Sequence, residues 1–219
     1  MKAVCLISGG MDSCVAAFVA KKEGYTIYAL TFDYGQRNRR EIERAKEIAK
    51  ALEAKEHLII SANLRAIGGS ALTDDIEVPE KGEGIPPTYV PARNTIFLAY
   101  ALAYAEARNA DAIFIGANAI DYSGYPDCRK EYIEAMQKVA DVGTKRGTEG
   151  KPIKIVAPLI NLSKAEIVKK GIELGVPFEK TWSCYRGKEK ACGRCDSCRL
   201  RLKGFKEAGI KDPIEYENK

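Results

Sequence analysis

The sequence predicts an α/β fold: a five-stranded parallel sheet with helices on both faces. Short apolar β-type runs alternate with helical patterns along most of the chain, the order that βαβ units require. The runs are apolar throughout, as suits strands covered on both faces. Polar clusters follow the first, second and fourth runs, where open sheets of this kind keep their ligand sites.

The elements follow in order. Residues 2–7 form a first strand that stops in Ser8-Gly-Gly-Met-Asp-Ser13. Residues 12–23 read as a helix, with Val15, Phe18 and Val19 on one face and Gly24 placed to end it. Residues 26–32 are a second strand, ending in Asp33-Tyr34-Gly35-Gln36. Residues 39–52 form a charged amphipathic helix, and 57–60 a third strand. Residues 96–108 make an apolar helix whose longest apolar run is about half a membrane span, which places it in a core. Residues 112–115 are the fourth strand, 130–142 a helix, 154–157 the fifth strand, and 164–174 a helix ended by Gly175. Residues 61–91, rich in glycine and proline, lack a sustained pattern and read as a lid, a binding loop or a partly disordered segment. Residues 144–152 read as a shorter mobile loop.

Composition excludes several classes. With 46% hydrophobic and 30% charged residues the chain resembles an ordinary soluble protein. The N-terminus has one lysine and five apolar residues before the glycine turn, too short for a signal peptide, so a cytoplasmic location without a membrane partner is expected. The net charge of +5 is uneven. Residues 184–211 hold nine Arg/Lys against three Asp/Glu, which raises a nucleic-acid partner as a candidate. Four thiolates on one zinc ion in the same stretch would lower that local charge by about two. Seven cysteines without a leader argue for metal or redox use, not disulfides.

The strongest chemical signal is Cys184 followed by Cys192-Gly-Arg-Cys195-Asp-Ser-Cys198. This spacing puts three thiolates on a tight turn running into a helix, with the fourth arriving from upstream. The set suits one closed, structural zinc site per chain; an iron–sulfur cluster or free thiols are the competing readings. Cys5 and Cys14 read as core residues. Cys128, in the polar turn Tyr125-Pro-Asp-Cys-Arg129, is conceivable as a nucleophile, but no histidine neighbours it. The single histidine, His57, suits a structural place in the third strand. No Cys–His or Ser–His pair is present, so chemistry here rests on positioning and charge stabilisation.

The Ser8–Ser13 stretch presents backbone N–H groups at the positive end of a helix dipole, a geometry that binds phosphate. Asp12 is placed either to cap the helix or to hold magnesium. The competing reading is an ordinary glycine turn. No Gly-x-x-x-x-Gly-Lys-Ser/Thr motif occurs.

Ser-Gly-Gly-x-Asp-Ser after a first strand resembles the PP-loop of the ATP pyrophosphatases. Within that group the chain is similar to the 7-cyano-7-deazaguanine synthase family of queuosine and archaeosine biosynthesis. The matching stretches are Asp33-Tyr34-Gly35-Gln36, Val90-Pro-Ala-Arg93-Asn94, Gly116 to Arg129, Leu162-Ser-Lys164, and Trp182-Ser-Cys184 with the Cys192 triplet. Ala92 stands where glycine is more usual in the family. The resemblance implies a Rossmann-like, adenine nucleotide alpha-hydrolase-like fold. It implies an ATP-binding domain over residues 1–180 and a zinc-binding segment over 181–219 packed on it. The implied reaction joins ammonia to 7-carboxy-7-deazaguanine and yields the nitrile (preQ0) through adenylated carboxylate and amide intermediates. ATP, Mg2+ and one structural Zn2+ are its expected cofactors.

Ser8, Gly9, Gly10, Met11, Asp12 and Ser13 are expected to bind pyrophosphate, with Asp33, Tyr34 and Gln36 on the adenosine side. Asp12, Lys164 and Arg93 are the catalytic candidates. Arg93, Asn94, Asp121, Tyr125, Asp127 and Arg129 are the candidates for holding substrate, with Tyr122 an alternative for stacking. The partners implied are small molecules and a second copy of the chain, without a stable nucleic-acid complex. The competing functions are a tRNA-thiolating or tRNA-lysidine-type enzyme, favoured by the basic tail, and a non-catalytic nucleotide-binding zinc protein.

Overall fold

The computed structural model describes residues 1–74, 76, 84–120, 124–186 and 189–217. Its centre is β1 (Lys2–Leu6), flanked by β2 (Thr26–Asp33) and β4 (Ala112–Phe114), with β3 (Glu56–Ser61) and β5 (Lys154–Val156) at the edges. The order is β3-β2-β1-β4-β5 and every pairing is parallel. In register, Val4 of β1 lies between Tyr28 of β2 and Ile113 of β4. The chain leaves β1 toward β2 and later returns to its other side as β4, so the gap between β1 and β4 is the switch point.

Strand alternation divides the core. Ala3, Cys5 and Ile7 face one apolar layer with Val15, Phe18, Ile48 and Ile167; Val4 and Leu6 face the other with Leu98, Leu102, Ile133 and Met136. The first layer is supplied by α1 (Met11–Lys22), α2 (Arg40–Ala51) and α6 (Lys164–Glu173). The second is supplied by α3 (Arg93–Arg108) and α4 (Lys130–Gly143). The three central strands are therefore dry on both faces, which is why they read as continuous apolar runs, while the edge strand β3 leaves Ile59 exposed. Cys5 and Cys14 are buried in the first layer, as core residues. His57 pairs with Thr31, Nε2 to Oγ1 2.8 Å, consistent with a structural place.

Three expectations change. The 144–152 stretch is not an open loop: α5 (Lys145–Thr148) starts on a Thr144 cap, and Arg146 reaches the Ala110 carbonyl and Asp111. Four residues are too few to show a period, so the sequence hides it. Asp12 does not cap α1, whose N-cap is Gly10; it is the helix's second residue, turned toward α6. The apolar helix starts three residues before residue 96, because Arg93, Asn94 and Thr95 form a polar first turn.

The tail adds a third apolar cluster, Trp182, Cys184, Ala191, Cys192, Cys195 and Cys198, and then α7 (Asp196–Glu207). Phe205 of α7 meets Phe178 edge-on at 5.2 Å and joins the first core layer. Arg201, 1% exposed, makes a bidentate pair with Asp212 and also donates to Thr181 Oγ1 and the Phe178 carbonyl. A buried guanidinium so fully partnered seats the tail in one orientation. No helix among the described residues is long and apolar enough to cross a membrane.

Candidate active site

A cavity of about 280 Å3 opens at the carboxyl ends of β1, β2 and β4. Its walls include Ser8, Gly10, Met11, Asp12 and Ser13 from the glycine loop, Tyr34 and Gln36 after β2, Arg93 and Asn94 from α3, and Gly116 and Asn118 after β4. Tyr125 and Lys164 line it as well. Sites predicted on five separate stretches thus share one chamber.

The glycine loop is built from its own side chains. Ser8 N–H donates to Ser13 Oγ at 3.1 Å, Ser13 Oγ donates to the Gly10 carbonyl at 3.0 Å, and Gly10 N–H reaches Ser8 Oγ at 3.3 Å. Gly9 has φ +85°, and a Cβ there would lie 2.2 Å from the Glu41 carbonyl oxygen, so only glycine fits. A Cβ on Gly116 would fall 2.6 Å from Ser13 N, so the β4 end also needs glycine to let α1 approach.

Asp12 is the focus of charge. Its Oδ2 accepts from Lys164 Nζ at 2.5 Å. Its Oδ1 is buried and has no hydrogen-bond partner among the described residues. An orphaned carboxylate oxygen on a cavity wall fits a divalent cation or a donor on a ligand. Lys164 is delivered by α6, whose start is fixed by a Ser163/Glu166 capping box. Across the chamber the Arg93 guanidinium sits 5.7 Å over the Tyr34 ring and donates to its hydroxyl at 3.3 Å. Burial pushes the Tyr34 hydroxyl up to about 12, so it stays protonated.

Some expected residues do other work. Gln36 braces its turn, accepting from Tyr34 N–H and donating to the Phe32 carbonyl. Asp127 is buried off the cavity wall, where its Oδ2 accepts from Asn94 N–H at the start of α3. Gly9 and Asp33 also lie off the wall, and Arg129 is exposed at the N-cap of α4. Asp121 and Tyr122 lie outside the described residues. Cys128 lines the cavity, but burial pushes its thiol up to about 11, with Asp127 adding to the rise, so little thiolate exists near neutral pH.

Sequence reasoning missed Glu41, Phe97, Ser183, Tyr185 and Arg201 on the same walls. Glu41 lay inside a helix pattern that reads as solvent-facing, yet burial raises its carboxyl to about 7. The tail residues flank Trp182-Ser-Cys184 and the cysteine triplet, so the family motif was the available signal. The four tail cysteines are all buried, with their sulfurs within 4.8 Å of one another. Such a soft, closed donor set fits a tetrahedral metal ion.

Fold and site together define a nucleotide-binding α/β protein of the PP-loop type. Among solved structures the chain is similar to a 4-thiouridine synthetase–RNA complex with bound ATP: TM-score 0.51, 22% identity, 95% of this chain and 50% of that one. The NMN synthetase from Francisella tularensis gives TM-score 0.50 at 20% identity, covering 96% and 78%. At these identities the likeness shows fold alone.

The family is narrower. The model of queuosine biosynthesis protein QueC matches residues 2–209, and the chain belongs to that family. Its relatives include the 7-cyano-7-deazaguanine synthases of Acetivibrio thermocellus, 62% identical over 98% of this chain and 97% of that protein, and Saccharophagus degradans, 58% identical over 99% and 98%.

Proposed function

We propose that this enzyme converts 7-carboxy-7-deazaguanine and ammonia to 7-cyano-7-deazaguanine at the expense of ATP, by adenylating the substrate oxygen twice. The observation that carries the reading is Asp12, with one oxygen on Lys164 and the other buried and unpartnered beside the glycine loop. A carboxylate is a poor acceptor for ammonia until its oxygen becomes a leaving group. Its attack on the α-phosphorus of ATP releases pyrophosphate; ammonia then displaces AMP and leaves the amide. The amide oxygen attacks a second ATP, and loss of AMP forms the nitrile. Neither step needs an enzyme nucleophile, in keeping with the protonated Cys128 thiol.

The chain's own part is to bind and orient. The loop N–H groups and Ser8 and Ser13 receive the β,γ-pyrophosphate, and Lys164 and Arg93 neutralise charge that develops on phosphate and carboxylate. A magnesium ion on Asp12 Oδ1 would supply further charge neutralisation. Tyr34 and Gln36 shape the adenosine side, and Asn94 and Tyr125 the deazaguanine side. Residues 1–180 carry this chemistry. Residues 181–219 hold one structural zinc ion on Cys184, Cys192, Cys195 and Cys198 and close the chamber from the tail. The working form is a cytoplasmic homodimer, a reading supported by the exposed Tyr100 and Val139 on α3 and α4.

Asp12→Ala tests the assignment. It is expected to abolish substrate-dependent pyrophosphate release while zinc content stays at one per chain; retained turnover refutes the role of Asp12.

A further inference from the structure

Trp182 is the chain's single tryptophan, and it is buried between the glycine loop and the four cysteines. Its backbone N–H donates to the Gly9 carbonyl at 2.8 Å. Its indole Nε1–H donates to the Cys184 carbonyl at 3.0 Å, and the Asn38 side chain donates to the same oxygen at 3.0 Å. The Arg40 guanidinium lies 4.6 Å over the ring. A second link runs through α7, which begins among the cysteines: a Cβ on Gly204 would sit 2.7 Å from Lys164 Cβ, so the tail backs the catalytic lysine directly.

Gly9 holds an unusual φ, and the direction of the loop N–H groups depends on where its carbonyl is anchored. The anchor is a residue two positions from a cysteine of the metal set. Resting on the reading that the glycine loop binds ATP and the cysteines hold zinc, we propose that Trp182 is a positioning residue coupling these two sites. Metal at Cys184 fixes the strut from Trp182 to Gly9 and so aims the loop; removing it releases the loop. By reciprocity of binding free energies, nucleotide on the loop must hold the metal more tightly.

The test uses the zinc-loaded full chain. Zinc content by metal analysis and MgATP binding by equilibrium dialysis are measured first; absence of either overturns both the underlying reading and the proposal. Zinc shared between the chain and a chromogenic chelator is then measured at equilibrium with and without saturating MgATP, while the emission of Trp182 is followed. Coupling predicts zinc affinity raised about fivefold or more by MgATP, and a shift in emission on adding nucleotide and on losing zinc. Trp182→Phe keeps the backbone bond to Gly9 but loses the indole bond, and its affinity factor is expected to fall toward one. Should that variant not fold, Arg40→Met, which removes the stacked cation together with its hydrogen bond to the Glu189 carbonyl, is expected to lower the factor partway. Both ligands bound, with equal zinc affinity and unmoved emission, overturns the coupling and leaves the functional reading intact.

Discussion

Ala92 stands where the family resemblance leads one to expect glycine, and its backbone conformation is one that suits glycine. Its φ and ψ are +51° and 24°, in the left-handed region, immediately before α3. A Cβ in that conformation costs about 1–2 kcal/mol, partly offset by the greater freedom glycine has in the unfolded chain. Ala92→Gly is therefore expected to stabilise the protein by about 0.5–1 kcal/mol in urea melts; destabilisation would show that the strain is absorbed elsewhere. Glu41 is a second residue whose environment decides its behaviour. Burial raises its carboxyl from 4.5 to about 7, with Arg93 opposing the rise and Cys184 adding to it. Between these values the folded chain binds more protons than the unfolded one, so this group's contribution weakens as pH rises through the window. Glu41→Gln should match the parent near pH 5 and exceed it by about 1–3 kcal/mol near pH 8. Equal slopes of stability against pH in the two proteins would contradict the assignment.

At the scale of elements, the glycine loop works because neighbours leave it no room. The Glu41 carbonyl of α2 occupies the space a Gly9 side chain would need. Gly9→Ala is expected to lower ATP-dependent turnover by about a hundredfold or more, the scale lost when a site shifts by about 1 Å. Near-normal turnover would mean that the loop is not the phosphate seat. The tail is held by a different device, the buried Arg201–Asp212 pair. Arg201→Met strands a buried carboxylate and should cost about 3–5 kcal/mol, read as a lowered urea midpoint. What the sequence made legible follows from the same contrast. Strands covered on both faces, a glycine loop and a Cys-x-x-Cys-x-x-Cys run each have local spacing that can be read directly. Arg201 does not: it lies in a basic helix that looks solvated, and only the fold brings Asp212, Thr181 and the Phe178 carbonyl around it. Asp127 is a parallel case: it sits in a stretch that the family resemblance marks for substrate, and the fold sets its Oδ2 on the Asn94 N–H at the start of α3, a contact no local pattern announces.

Over the whole molecule, the cavity joins pieces that no single stretch contains. The sheet's switch point sets the glycine loop opposite α3, and the tail returns from 173 positions along the chain to lay Trp182 against Gly9. One of the tail's nine basic residues, Arg201, is turned inward onto Asp212 and the Phe178 carbonyl. In the proposed reaction ATP activates the substrate oxygen by adenylation, twice per nitrile formed. The decisive measurement uses 7-carboxy-7-deazaguanine carrying oxygen-18 in both carboxylate positions, turned over with ATP, magnesium and ammonia and analysed by mass spectrometry. Double adenylation requires two AMP molecules per nitrile, each with one heavy oxygen on its phosphate; label in inorganic phosphate, with ADP as the nucleotide product, would refute it.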